Sequence, residues 1–133
     1  MTLRSSDAER IVDDILSSNH EILSAGVIHR SGNIIANKSS ESFGKQFEVS
    51  RLEGDKYSGT LAVAALSIAN EVNDAFGEPQ ALVTFYRDYK LMLLPTPSYS
   101  ILIGLALKRS DNEDNDKTID EIERLVGGVL KGQ

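Results

Sequence analysis

The 133-residue chain contains no cysteine and no tryptophan. Without cysteine there is no disulfide framework, no thiol nucleophile and no thiolate metal site, as expected of a protein from a reducing compartment. Histidine is nearly as scarce. His20 and His29 are separated along the chain with no paired carboxylates at a ligand spacing, whereas protein-bound zinc takes three or four ligands. His29, just before a turn, reads as a solvent-facing strand end. Long apolar runs are missing too: the longest, residues 101–107, has seven residues, against roughly 20 for a membrane span. Residues 1–7 lack the apolar core of a secretory signal, so a cytoplasmic location is expected. No Gly-x-x-x-x-Gly-Lys-Ser/Thr or Gly-x-Gly-x-x-Gly phosphate loop occurs, and no Gly-x-Ser-x-Gly elbow. The chain is therefore not expected to be an enzyme or itself a GTPase. No catalytic, cofactor-binding or metal-binding residue is assigned, and no cofactor is expected.

Basic residues are outnumbered, with 14 Lys and Arg against 20 Asp and Glu and a formal net charge of −6. The imbalance lies in one window. Asp111, Glu113, Asp114, Asp116, Asp120, Glu121 and Glu123 face only Lys117, and the remainder of the chain is neutral. Phosphate neutralisation needs clustered Lys and Arg, so nucleic acid is excluded as a general partner. With 41% hydrophobic and 26% charged residues, the composition is that of a soluble globular protein. The length suits a single domain over residues 1–133, able to bury about two-thirds of its unfolded surface.

Periodicity supplies the elements. Ile11, Val12, Ile15 and Leu16 repeat at helical spacing, and Ser6 with Glu9 forms a capping-box pattern, giving a helix over 6–18. Two short β-type runs, 22–29 and 33–37, flank Arg30-Ser31-Gly32 and read as a hairpin with Gly32 left-handed. Residues 39–58 are polar and read as a loop. Residues 60–76 carry the strongest helix signal, stopped by Gly77 and Pro79. Leu61, Ala65, Ile68, Val72 and Phe76 make one stripe; Ala62, Leu66 and Ala69 make a second, so this helix has more apolar surface than one sheet covers. Three β-type runs follow, at 80–86, 89–94 and 99–107, the first two joined through Arg87-Asp88. Pro95-Thr96-Pro97-Ser98 is expected to break the sheet, since proline cannot donate to a ladder. Ile119, Ile122, Leu125, Val126, Val129 and Leu130 give a last helix over 118–131, with Thr118 and Glu121 as a second capping box. Gly127-Gly128 implies a frayed end or one packed where only glycine fits. The order is α-β-β-α-β-β-β-α: an α+β domain with a five-stranded, meandering antiparallel sheet and helices packed on it.

Three segments, residues 26–36, 61–76 and 89–94 followed by 99–107, resemble the roadblock / dynein light-chain family of the profilin-like superfamily. The resemblance spans nearly the whole chain. The hairpin pattern of an apolar run, a charged residue, Ser-Gly, an apolar pair and Ala is its most specific part. The chain departs from the family in its long polar segment 39–58 and in the acidic stretch 111–116. The resemblance implies a non-enzymatic module, dimeric, that scaffolds or regulates small Ras-like GTPases or other protein assemblies. It also implies a dimer built on the central helix and the strand after it, here Leu61, Ala62, Ala65, Leu66, Ala69 and Val72 with Leu82, Thr84 and Tyr86. The residues agree independently: the helix has surplus apolar surface, and residues 81–86 leave an unpaired edge unless a second copy joins it. A homodimer with a small GTPase or other protein partner is thus expected. Against the dimer stands a monomer in which both helix faces are covered within one chain, partly by the segment 39–58. The alternative function is a profilin-like or PAS-like sensory domain holding a small molecule between the sheet and the segment 39–58.

The remaining motifs are weaker. Asp111-Asn-Glu-Asp-Asn-Asp116 lacks the glycine and the final glutamate of a calcium loop and reads as a solvated connector. Asn37-Lys38-Ser39 matches a glycosylation triplet that requires a secretory route. Tyr86, Tyr89 and Tyr99 with Pro95 and Pro97 make the one aromatic and proline-rich neighbourhood, a candidate binding surface.

Overall fold

The computed structural model describes residues 3–40, 67, 73–96, 101–111 and 113–131. Its first helix, α1 (Ser5–Ser18), buries Ala8, Ile11, Val12 and Ile15, the spacing seen in the sequence. Its cap differs from expectation. The N-cap is Arg4 and makes no side-chain cap bond; its carbonyl accepts the Asp7 and Ala8 N–H groups, each at 3.1 Å, and its Nε donates to Asp7 Oδ2 at 2.9 Å. Starting one residue early puts Ser6 inside the first turn, so the Ser6–Glu9 capping box does not form.

Strands β1 (Ile22–His29) and β2 (Ile34–Ser39) make the expected hairpin. Gly32 turns it at φ 95°, with its N–H on the His29 carbonyl at 2.8 Å. A four-residue helix, α2 (Asn73–Phe76), is the end of the central helix read from the sequence, and Gly77 closes it at φ 80°. Apart from Ser67, which is helical, the rest of that helix lies outside the described residues, as do the segment 41–58 and Tyr99. Strands β3 (Leu82–Phe85), β4 (Tyr89–Thr96) and β5 (Ile101–Lys108) meander antiparallel, and β5 returns to pair with β1. The sheet order is β2-β1-β5-β4-β3. Helix α3 (Asn115–Lys131) completes the order α-β-β-α-β-β-β-α.

Two expectations fail for physical reasons. Pro95 stays in β4, opposite Leu102, and Thr96 opposite Ile101. Arg109 N–H bonds the Asp88 carbonyl, so by alternation the even residues of β4 bond β5 and the odd ones face β3. The ladder with β3 ends at Leu93, so the N–H that Pro95 lacks would have no strand to meet. Helix α3 begins three residues before the predicted start. Asp114 caps it, its Oδ1 accepting the Lys117 N–H at 3.0 Å and its carbonyl the Thr118 hydroxyl at 3.2 Å, which replaces the Thr118–Glu121 box. The helix continues through Gly127 and Gly128 to Lys131. A Cβ added at either glycine meets nothing within 4 Å, so among the described residues neither fraying nor close packing explains them.

Helices α1 and α3 share one side of the sheet. Ile11, Val12, Ile15, Ile122 and Val126 meet Val27, Met92, Ile103, Leu105 and Leu107 there in a single core. On the opposite side Ile28 and Leu102 form a small cluster with Ile34 and Leu93, beside Gly26 and Gly104, which oppose each other across β1 and β5.

Candidate functional site

Among the described residues β3 is one outer strand of the sheet. Its inner side is fixed by Tyr86 N–H on the Tyr89 carbonyl at 2.8 Å, continuing the register Thr84–Leu91 and Leu82–Leu93. Because antiparallel bonding alternates residue by residue, the N–H and C=O groups of Val83 and Phe85 point away from β4. No described strand lies on that side. Leu82, Thr84 and Tyr86 share one face of this edge, with Leu82 half-buried and the other two exposed. Leu91, 42% exposed, stands beside Thr84 on β4 and widens the apolar face. The three β3 residues expected from the sequence are thus brought together. Leu61, Ala62, Ala65, Leu66, Ala69 and Val72 lie outside the described residues. Phe76, at the end of α2, is 82% exposed.

The other face of the same edge is held from outside. Phe85 is 53% exposed, and the Arg109 guanidinium lies 4.6 Å from its ring centroid. Arg109 Nη1 donates to the Tyr86 carbonyl at 2.9 Å and Nε to Glu113 Oε1 at 2.6 Å. Glu113 also accepts the Ser110 N–H at 3.1 Å. Burial raises the Glu113 carboxyl, but the Ser110 bond, the Arg109 bond and the charges of Lys90 and Arg109 outweigh it, and the group settles below its ordinary value. Lys90, opposite Phe85 in the ladder, is buried and donates to Asn115 Oδ1 at 2.6 Å. The first residue of α3 is thus bonded to the β3–β4 hairpin through Lys90, and the connector before α3 is bonded to it through Arg109.

The acidic window therefore divides. Glu113 is neutralised internally and Asp114 caps α3, while Asp111, Asp116 and Asp120 are exposed. An open cleft there is lined by Asp114, Asp116, Lys117, Asp120, Glu121 and Arg124. No group of three or more His, Asp or Glu side chains suited to a metal occurs among the described residues. His29 serves its own turn, its Nδ1 meeting the Ser31 N–H at 3.1 Å and the Ser31 hydroxyl at 2.9 Å. The aromatic and proline neighbourhood is dispersed: Tyr86 and Tyr89 close one end of β4 and Pro95 sits near the other, about 20 Å away at the rise of a strand. Pro97 and Tyr99 lie outside the described residues.

Arg109 and Lys90 were not singled out by the sequence, and Glu113 and Asn115 entered only as members of the acidic stretch 111–116. For Lys90 a signal existed, since it shares the period-two positions of Met92 and Leu94. For Arg109 none did, because its acceptor on Tyr86 is 23 positions away.

By sequence, the chain matches no protein-family model and no curated protein. Its architecture has clear counterparts. A Roadblock/LC7 domain from Streptomyces avermitilis aligns over 98% of this chain and 97% of its own, with a TM-score of 0.70 at 13% identity. The chain has the Roadblock/LC7 fold. Myxococcus xanthus MglB aligns over 99% of this chain and 93% of its own, with a TM-score of 0.72 at 7% identity. An MglB with a tetrameric arrangement aligns over 97% and 96%, with a TM-score of 0.59 at 13% identity. The Roadblock fold here carries no described helix long and apolar enough to cross a membrane.

Proposed function

We propose that this protein is a dimeric roadblock-type interaction module in the cytoplasm, non-enzymatic, which scaffolds or regulates a small GTPase or another protein partner. Two copies associate through β3 and the segment 61–76, with Leu61, Ala62, Ala65, Leu66, Ala69 and Val72 joining Leu82, Thr84 and Tyr86. The observation that carries the reading is the edge of β3 that no other described strand pairs with, with outward peptide groups at Val83 and Phe85 and an exposed face of Thr84, Tyr86 and Leu91 beside it. An edge of this kind invites pairing and is usually blunted by charge, proline or cover; β3 itself contains neither charge nor proline. The tetrameric arrangement of one MglB of the same fold adds support for self-association. The GTPase partner follows from the family resemblance alone.

The test is molar mass by light scattering over a concentration series. The wild-type chain doubles its mass. Ala65→Glu returns it to one chain or precipitates, and so does Val83→Pro, which removes an outward N–H and leaves the β4 ladder intact. A wild-type chain that stays single at high micromolar concentration overturns the dimer. Co-elution with a small GTPase encoded beside it, in one nucleotide state only, would support the partner class.

A further inference from the structure

Among the described residues strand β3 has four register pairs, all to β4, and a short strand held by one neighbour is the first part of a sheet to open. Neither α1 nor α3 covers its end, where Phe85 and Tyr86 are each 53% exposed. One residue compensates. Arg109 holds three parts of the hairpin at once: the Phe85 ring under its guanidinium, the Tyr86 carbonyl through Nη1, and the Asp88 carbonyl through its own N–H at 2.9 Å. Its fourth contact, Nε to Glu113 Oε1, fixes the direction of the guanidinium plane. Glu113 is itself fixed by the Ser110 N–H, so the fork is set before anything approaches the edge.

From this geometry we infer that Arg109 is the positioning residue of the β3 edge. It holds the last residue of β3 and the turn after it in the extended, twisted form that an incoming strand pairs with. The inference deepens the dimer reading and rests on it for the identity of the incoming strand, a second copy of β3. Ordering the edge in advance lowers the conformational cost of association. The chemistry requires arginine. A lysine keeps the charge and one bond to Glu113, but it has no second donor in a fixed fork and no planar face to lay on Phe85. Among the described residues, Glu113 is the carboxylate that meets the guanidinium.

The experiment compares wild type with Arg109→Lys by two readouts: residue-resolved amide exchange, and the dimer dissociation constant from sedimentation. Tyr86 N–H is the reporter, because it bonds inward to Tyr89 and is not part of the pairing edge. Arg109→Lys should exchange at Tyr86 about tenfold faster and dimerise about tenfold more weakly, while amides of β1 and β5 keep wild-type rates. A change confined to the hairpin separates positioning from a general loss of stability. If Tyr86 exchange rises while the wild type proves monomeric, the positioning role stands and the dimer reading falls. If both readouts match wild type, the positioning role falls while the dimer stands. Should Arg109→Lys fail to fold, Glu113→Gln, which keeps volume but weakens the hold on Nε, should speed Tyr86 exchange about threefold; unchanged exchange there overturns the inference equally.

Discussion

Lys90 Nζ lies 2.6 Å from Asn115 Oδ1, joining a buried cation on β4 to the first residue of α3. The two sides of this bond are unequal. Asn115→Ala strands a buried ammonium and should lower stability by about 2–3 kcal/mol. Lys90→Met removes charge and demand together and should cost no more than about 1 kcal/mol, because replacing a buried ionic group by an apolar one of similar volume is often neutral. Urea unfolding of the two variants checks the order, and a larger loss for Lys90→Met would contradict it.

The sheet interior predicts a plain cavity effect. Ile103, 1% exposed on β5 between β1 and β4, should cost about 2–5 kcal/mol when cut to alanine. Denaturant midpoints at constant slope measure it.

The two helix glycines predict the reverse sign. A methyl group at Gly128 meets nothing within 4 Å, and helical glycine is about 1 kcal/mol worse than alanine. Gly128→Ala should therefore raise stability by up to that amount, read as a higher melting temperature. A fall would mean that the glycine is needed by a surface outside the described residues.

The Glu113 carboxyl predicts an acid limb. It sits below its ordinary value of 4.5. A group depressed on folding stabilises the fold above its unfolded value, and that contribution is lost as pH falls through the lower folded one. The groups facing it are Arg109, Lys90 and the Ser110 N–H, with Asp114 adjacent in the chain and Asp111 two residues before it. Wild-type stability should therefore fall more steeply than that of Glu113→Gln below about pH 4.5. Parallel pH–stability curves for the two would contradict the assignment.

These residues mark where the sequence was readable. Element order and type could be read across the described residues, because Ile11–Ile15 and Ile122–Val126 repeat at helical spacing and β1 and β5 are short apolar runs. Element ends were harder to read. Ser6–Glu9 and Thr118–Glu121 have the spacing of capping boxes, yet the backbone starts each helix earlier, at bonds to Arg4 and Asp114 that compete locally. Pro95 looked like a breaker because its sequence neighbours do not say where β3 stops. The edge itself was anticipated from the strand containing Leu82, Thr84 and Tyr86. The Arg109 contacts were not, since they depend on β5 returning beside β4 and bringing distant positions together.

The central claim is that a second copy pairs along β3, and amide exchange of Val83 and Phe85 tests it most directly. These outward N–H groups should become protected over the same concentration range in which the mass doubles, while Thr84 and Tyr86, bonded inward to β4, stay protected throughout. Val83 and Phe85 amides that exchange freely in a sample whose mass has doubled would contradict the account.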